Sequence, residues 1–342
     1  MNFSNAWNEL LDEFRVLGGT AENVRIGRGS LGRGLFAIDP SRPVDLHTPP
    51  NLLVPLRDVT FRSDRFHISP AAKVGERERA WLDRYLNEFS WGGGGREEAM
   101  AEIQRMRSLP LPVRERLGRA FGMNYCIAEL SPGLVAQRFL GSRAITLDEQ
   151  TVMPMIDMVN HGAAPGYDTT NGVAVRGLFS DEILVSYSEA HDTFLCFAVW
   201  GIVCPRPFAY SHPTRLPTRQ GEMVISTDLH DGHEIEVHVP KPLRLNLPNL
   251  TVRNGRIAVS FLMLGMKGLP RIPKGIFRRV LSDAGLQLDD EPFEMAQHLN
   301  RDTFLSLLRD LEGIEAEMAG SLRRVCLMQL DALNQHFGSR PL

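Results

Sequence analysis

The residues able to do chemistry fall into a few groupings. Gly27, Gly29 and Gly32 spell G-x-G-x-x-G, a pattern that cradles phosphate when it opens a helix. Here Leu35-Phe36-Ala37-Ile38 and Pro40 come next. That is a strand and a turn, so the dinucleotide reading fails and a glycine turn between two strands is expected. Gly92 to Gly95 lacks the Gly-Lys-Ser/Thr ending of a phosphate loop and reads as a flexible linker. His230, His233 and His238 flank a predicted turn without a cysteine partner, and Cys126, Cys196, Cys204 and Cys326 form no C-x-x-C pair. No metal site and no disulfide framework is expected, and the cysteines read as reduced core residues. What remains is Arg143, the pair Asn160-His161 behind Met155-Ile156-Asp157-Met158, and Tyr187 in an apolar run. An amide donates and accepts, and a guanidinium fork matches a carboxylate.

Elements must hold these residues. Phe3, Trp7, Leu10, Leu11 and Phe14 share one helical face, stopped by Gly18-Gly19. Asn23 to Ile26 and Leu35 to Ile38 read as strands around the glycine turn, and Val44 to Leu56 continues in strand style. From about 69 to 140 the composition turns helical: Ala80 to Phe89, Arg96 to Met106 and Pro112 to Ala128. Strand-like runs return at Val152 to Met158, Val173 to Leu178 and Ile183 to Tyr187, and Phe194 to Val203 reads as a buried helix. Prolines 205, 207, 213 and 217 mark the expected domain boundary. Beyond it we expect a hairpin over Met223 to Val239 turning at Asp231-Gly232, then helices. Leu311, Ile314, Met318, Leu322 and Val325 form one stripe, with Asn300 as a helix cap ahead of Phe304.

Three short strings carry a resemblance. Gly32-Arg33-Gly34-Leu35-Phe36-Ala37, Met155-Ile156-Asp157-Met158-Val159-Asn160-His161, and Val185-Ser186-Tyr187 followed by Ala198-Val199-Trp200-Gly201-Ile202-Val203 resemble the signatures of SET-domain methyltransferases. They are most similar to those of the RuBisCO large-subunit lysine methyltransferase branch. Their order, with a helical insert between the first and second and a helical tail, matches that family over essentially the whole chain. The resemblance implies an α+β protein: a β-rich SET fold of short sheets over 1–210, with the helical insert at about 69–140. A mainly helical C-terminal domain over 218–342 would then help to bind substrate.

By the same resemblance the cofactor is S-adenosylmethionine. The backbone around Leu31, Gly32 and Arg33 grips its amino-acid end, Arg143 takes its carboxylate, Asn160 its amino group, and the backbone of His161 its adenine edge. Tyr187 is the catalytic residue, at the junction of donor and acceptor clefts. Trp200 and Asp157 bear on the acceptor channel, Asp157 as a buttress. Methyl transfer from a sulfonium is an in-line displacement that needs a deprotonated amine, correctly aligned. No metal is required for it.

The family's second tyrosine, before the glycine of the closing motif, is Trp200 here, and Asp192-Thr193 replaces its usual Ser-Asn pair. The acceptor is therefore open. A lysine side chain of a protein leads; a histidine, a small biosynthetic molecule, or a non-catalytic module that keeps the cofactor fold are the alternatives. With 342 residues, 43% hydrophobic and a net charge of −3, the chain has material for a large core and no basic field for nucleic acid. It has no apolar run of membrane-spanning length, and no basic segment precedes an apolar stretch at its start, so a cytoplasmic protein is expected. Its oligomeric state is not legible.

Overall fold

Clusters of aromatic and β-branched residues separated by glycine and proline divide the chain into many short strands between helices. The computed structural model describes residues 3–227, 233–239, 241–253, 255–287 and 289–334. It is an α+β protein of two compact units, Met1–Ala101 with Leu130–Ser188, and Glu102–Glu129 with Glu189–Leu342.

In the first unit the opening helix Phe3–Val16 buries Trp7, Leu10, Leu11 and Phe14, as its spacing predicts. Gly18 ends it at φ +91°. Phe14 stacks on Trp81 at 5.2 Å, and Trp81 on Tyr85 at 5.3 Å, so the helix braces the start of the insert. Thr20–Glu22, Val44–Thr48 and Val173–Gly177 form an antiparallel sheet with Val44–Thr48 central. The glycine turn is a hairpin of Val24–Gly29 with Gly32–Ala37. Its second strand is held on its free edge by Ala37 N to Asp181 O and Ile183 N to Leu35 O, both 2.8 Å. Asn160–His161 pairs in parallel with Leu184–Val185.

Some expectations change here. The strand over Val152 to Met158 stops at Val152, and Ile156–Met158 is a single 3₁₀ turn entered through Met155 at φ +71°. Gly92 to Gly95 is no flexible linker. It ends a wide, π-helical segment, Tyr85–Gly95, that continues the helix Glu76–Arg84. A Cβ on Gly92 would lie 2.0 Å from the carbonyl oxygen of Asn87, so the glycine is there for close backbone packing. The helix Pro132–Arg143, capped by Ser131 through the backbone N–H of Leu134, leads directly to Arg143.

In the second unit, Thr214–Thr218, Gly221–Ser226, Arg256–Ser260 and Asn249–Arg253 lie side by side in that order. The hairpin expected over Met223 to Val239 does not form. Gly221–Ser226 pairs with Thr214–Thr218 and Arg256–Ser260, while His233–Val239 pairs with Lys241–Leu247; Asp231-Gly232 lies outside the described residues. The division between units falls at Ser188/Glu189, before the proline stretch. That stretch carries paired strands: Phe208–Tyr210 against Met263–Met266, and Pro217 on an edge strand, where no ladder donor is needed.

Three helices, Arg271–Asp283, Glu291–Asp310 and Glu317–Asn334, complete the unit around Phe277, Phe293, Phe304, Leu322 and Val325. The stripe from Leu311 to Val325 is broken by a turn with Gly313 at φ +73°. Asn300 sits inside a helix, buried, accepting from His212 N at 2.9 Å and donating to Ser211 Oγ at 3.0 Å; it ties the helix to the segment after Phe208–Tyr210 instead of capping. All four cysteines are buried and unbridged. Among the described residues no helix is long and apolar enough to cross a membrane.

Asp192 caps the helix Thr193–Trp200 through Leu195 N and holds Tyr210 N, each at 2.8 Å. Burial raises its carboxyl to about 6, while burial and then Arg206 lower its neighbour His191 to about 4. The raised aspartate favours folding at low pH and loses that contribution as pH rises through 6; the lowered histidine favours folding at high pH and loses it as pH falls from its ordinary 6.5 toward 4. Between pH 4 and 6 the two slopes oppose each other. His191→Gln leaves the aspartate's slope alone, so urea titrations of that variant should show stability rising by about 2–3 kcal/mol from pH 6.5 to 4 relative to the wild type.

Candidate active site

Three segments far apart in sequence meet in the first unit. The glycine hairpin supplies the first. Gly32 turns the chain at φ +100°, outside the range a side chain adopts easily. A Cβ on Gly34 would come within 2.7 Å of both Asn160 Nδ2 and Glu182 Oε1. The bare Cα is what lets Asn160 approach, and its amide donates to Arg33 O at 3.0 Å and to Glu182 Oε1 at 2.7 Å. Leu31, at the hairpin tip, is 55% exposed.

The second segment is the turn of Asp157. Its carboxylate is buried and accepts from Tyr85 OH and from Ser90 Oγ, the latter at 2.6 Å. Burial, then the charge of Asp157, push the Tyr85 phenol well above its ordinary range. The peptide oxygen of Asp157 accepts from Arg143 Nη1 at 2.6 Å. Met155, fully buried in left-handed backbone, sets the direction of this turn.

The third segment is the tyrosine. Tyr187 N donates to His161 Nδ1 at 3.2 Å, which puts the proton of a neutral His161 ring on Nε2. Tyr187 OH donates to Val159 O at 2.9 Å. Burial raises this phenol to about 12, with Arg143 opposing and Asp157 and Glu182 reinforcing. It is protonated at neutral pH, a hydrogen-bonding group and not a base. Tyr167 lies close enough to feel Tyr187, Asp157 and Arg143, and burial, then Tyr187, drive its phenol well above the usual value.

Beneath these sits a charged cluster. Arg143 Nη2 meets Glu98 Oε2 at 3.0 Å, and Arg143 lies over the Phe139 ring at 4.9 Å. Arg33 is 8% exposed and donates Nη1 to Phe89 O, a carbonyl of the wide helix. Its Nη2 lies 3.7 Å from Glu98 Oε2, an ion-pair distance, and finds no hydrogen-bond acceptor; Glu98 Oε1 is likewise buried without a donor. Burial and then Arg143 depress the Arg33 guanidinium, against Glu98.

The structure thus gathers Gly32, Arg33, Arg143, Asp157, Asn160, His161 and Tyr187 in one unit. Trp200 belongs to the other, ending its helix edge-on to His191 at 5.0 Å. Of the three histidines whose spacing gave no expectation of a metal site, His230 lies outside the described residues and His238 is exposed near Glu236; among the described residues no group of three or more metal-binding side chains occurs. Sequence reasoning passed over Tyr85, Ser90, Glu98, Tyr167 and Glu182. The one signal that could have found them is the glycine run after Ser90, read above as a linker, whose missing Cβ atoms permit close approach.

No family model matches the chain, and no curated protein is similar to it. Among solved structures it is similar to the SET domain of LSMT bound to lysine and AdoHcy, at 13% identity over 99% of this chain and 91% of that one, with a TM-score of 0.43. It is also similar to Rubisco LSMT bound to AdoMet, at 14% identity over 97% of this chain and 90% of that one, TM-score 0.43. Rubisco LSMT bound to sinefungin and monomethyllysine gives 14% identity, coverages of 97% and 89%, and a TM-score of 0.39.

Asp157 depends on two hydroxyls. Removing one leaves a buried carboxylate under-solvated, so Tyr85→Phe should lower the unfolding free energy by about 1.5–3 kcal/mol in a urea melt. Phe61→Leu, an apolar exchange in the same unit, should cost clearly less.

Proposed function

We propose that the first unit is a SET-class methyltransferase domain. It takes S-adenosylmethionine as methyl donor and methylates a side-chain nitrogen of a protein, lysine foremost. The observation that carries this is the convergence of the three signature strings through their own hydrogen bonds: Asn160 to Arg33 O, Tyr187 N to His161, and Tyr187 OH to Val159 O.

The residues fit the donor. Two buried polar atoms of opposite charge, Arg33 Nη2 and Glu98 Oε1, lack partners beside a glycine turn, and an amino-acid end carries the complementary groups. Bound there, the donor supplies an electrophilic methyl on a sulfonium. The chain's own groups do the rest. Tyr187 donates its proton to Val159 O, and its oxygen would accept an N–H of the incoming amine and fix the direction of the nitrogen lone pair. A phenol held at about 12 stays protonated, so it orients the amine without taking its proton; desolvation and the sulfonium charge favour the neutral amine. Glu182 anchors Asn160 and thereby the backbone of Arg33.

The test is transfer of labelled methyl from S-adenosylmethionine into a size-fractionated extract. Label in a discrete protein band is expected; label confined to small molecules would move the acceptor to a biosynthetic amine, and no label with any fraction would favour a binding module. In the same assay Tyr187→Phe should lower turnover about 100-fold or more while donor affinity changes little.

A further inference from the structure

Two side-chain atoms of the charged cluster are buried without a hydrogen-bond partner. Arg33 Nη2 is a buried donor without an acceptor, and Glu98 Oε1 is a buried acceptor without a donor. Glu98 Oε1 also lies only 3.9 Å from where a Cβ on Gly32 would stand, which puts it against the turn of the glycine hairpin. Buried groups of this kind are rarely left unmatched, and pairing Arg33 with Glu98 more closely would satisfy both. They stay 3.7 Å apart because Glu98 Oε2 is drawn to Arg143 at 3.0 Å and Arg33 Nη1 is fixed on Phe89 O. The result is one unmet positive and one unmet negative valence side by side. Arg143, by contrast, has both terminal nitrogens committed, to Asp157 O and Glu98.

We infer that Glu98 and the side chain of Arg33 form a clamp for a zwitterionic α-amino-acid group, Glu98 Oε1 accepting from its ammonium and Arg33 Nη2 donating to its carboxylate. This rests on the reading of the site as one for S-adenosylmethionine. It changes which side chains do the holding: Arg143 positions Glu98, and Asn160, whose amide hydrogens go to Arg33 O and Glu182, sets the backbone.

The experiment is titration calorimetry with two probes, S-adenosylhomocysteine and 5′-methylthioadenosine, which keeps the adenosine and sulfur but lacks the amino-acid end. Glu98→Gln should weaken S-adenosylhomocysteine about 10- to 100-fold, the effect of a lost charged hydrogen bond, and leave 5′-methylthioadenosine unchanged. Unchanged or tighter binding of S-adenosylhomocysteine overturns the clamp, and equal loss of both probes assigns Glu98 to the fold. Arg33→Gln must show the same selectivity. If the wild-type chain binds neither probe, the reading of the site as a donor site falls, and the clamp falls with it.

Discussion

Burying the Asp157 carboxylate is the constraint on which the rest of the site depends. Taking such a charge out of water costs on the order of several kcal/mol, and only well-placed donors and neighbouring cations offset it. Here the donors are Tyr85 and Ser90 of the wide helix, the neighbouring cation is Arg33, and Arg143 holds the peptide oxygen of the same residue. The helical insert is therefore wired to the central motif by its polar groups, and the aromatic stack Phe14–Trp81–Tyr85 keeps the hydroxyl of Tyr85 where the carboxylate needs it.

The same logic explains why that helix is wide and why it ends in glycines. On the backbone as it stands, Cβ atoms at 92, 93 and 95 would meet Asn87 O, Arg33 Nη1 and Phe139. The carbonyl of Phe89 in this wide helix accepts from Arg33, and a buried guanidinium gains a fixed address. Wide turns of this type are common at functional sites for the same reason.

The parts of the fold that obey a single period or a single turn residue were legible: the opening helix from its apolar spacing, the glycine hairpin from the strand residues Leu35 to Ile38 behind its turn, and the buried helix after Phe194. What was not legible depended on partners remote in sequence. Asn300 has the composition of a cap, but its amide is used by His212 and Ser211. Met223 to Ser226 has the pattern of a hairpin arm, but its neighbours are chosen by the sheet, one of them in parallel. At the site, the signature strings contain Arg33, Asn160 and Tyr187, which the fold brings into one unit. Glu98 and Tyr85 look in the sequence like ordinary residues of solvent-facing helices, and only the pairing of charges in the folded chain distinguishes them.

The hydrogen bonds that join the site span 127 residues from Asn160 to Arg33, 72 from Tyr85 to Asp157 and 28 from Tyr187 to Val159. Contacts of such long range close large loops before they return any enthalpy, and they form late. On a ribosome the site is made in stages: Arg33 can meet Phe89 and Glu98 once the insert has emerged, Glu98 waits for Arg143, and Tyr85 waits for Asp157. The carboxylate of Asp157 is thus the last charge of the cluster to be synthesised, and the two hydroxyls that receive it, on Tyr85 and Ser90, are already in the chain when it arrives.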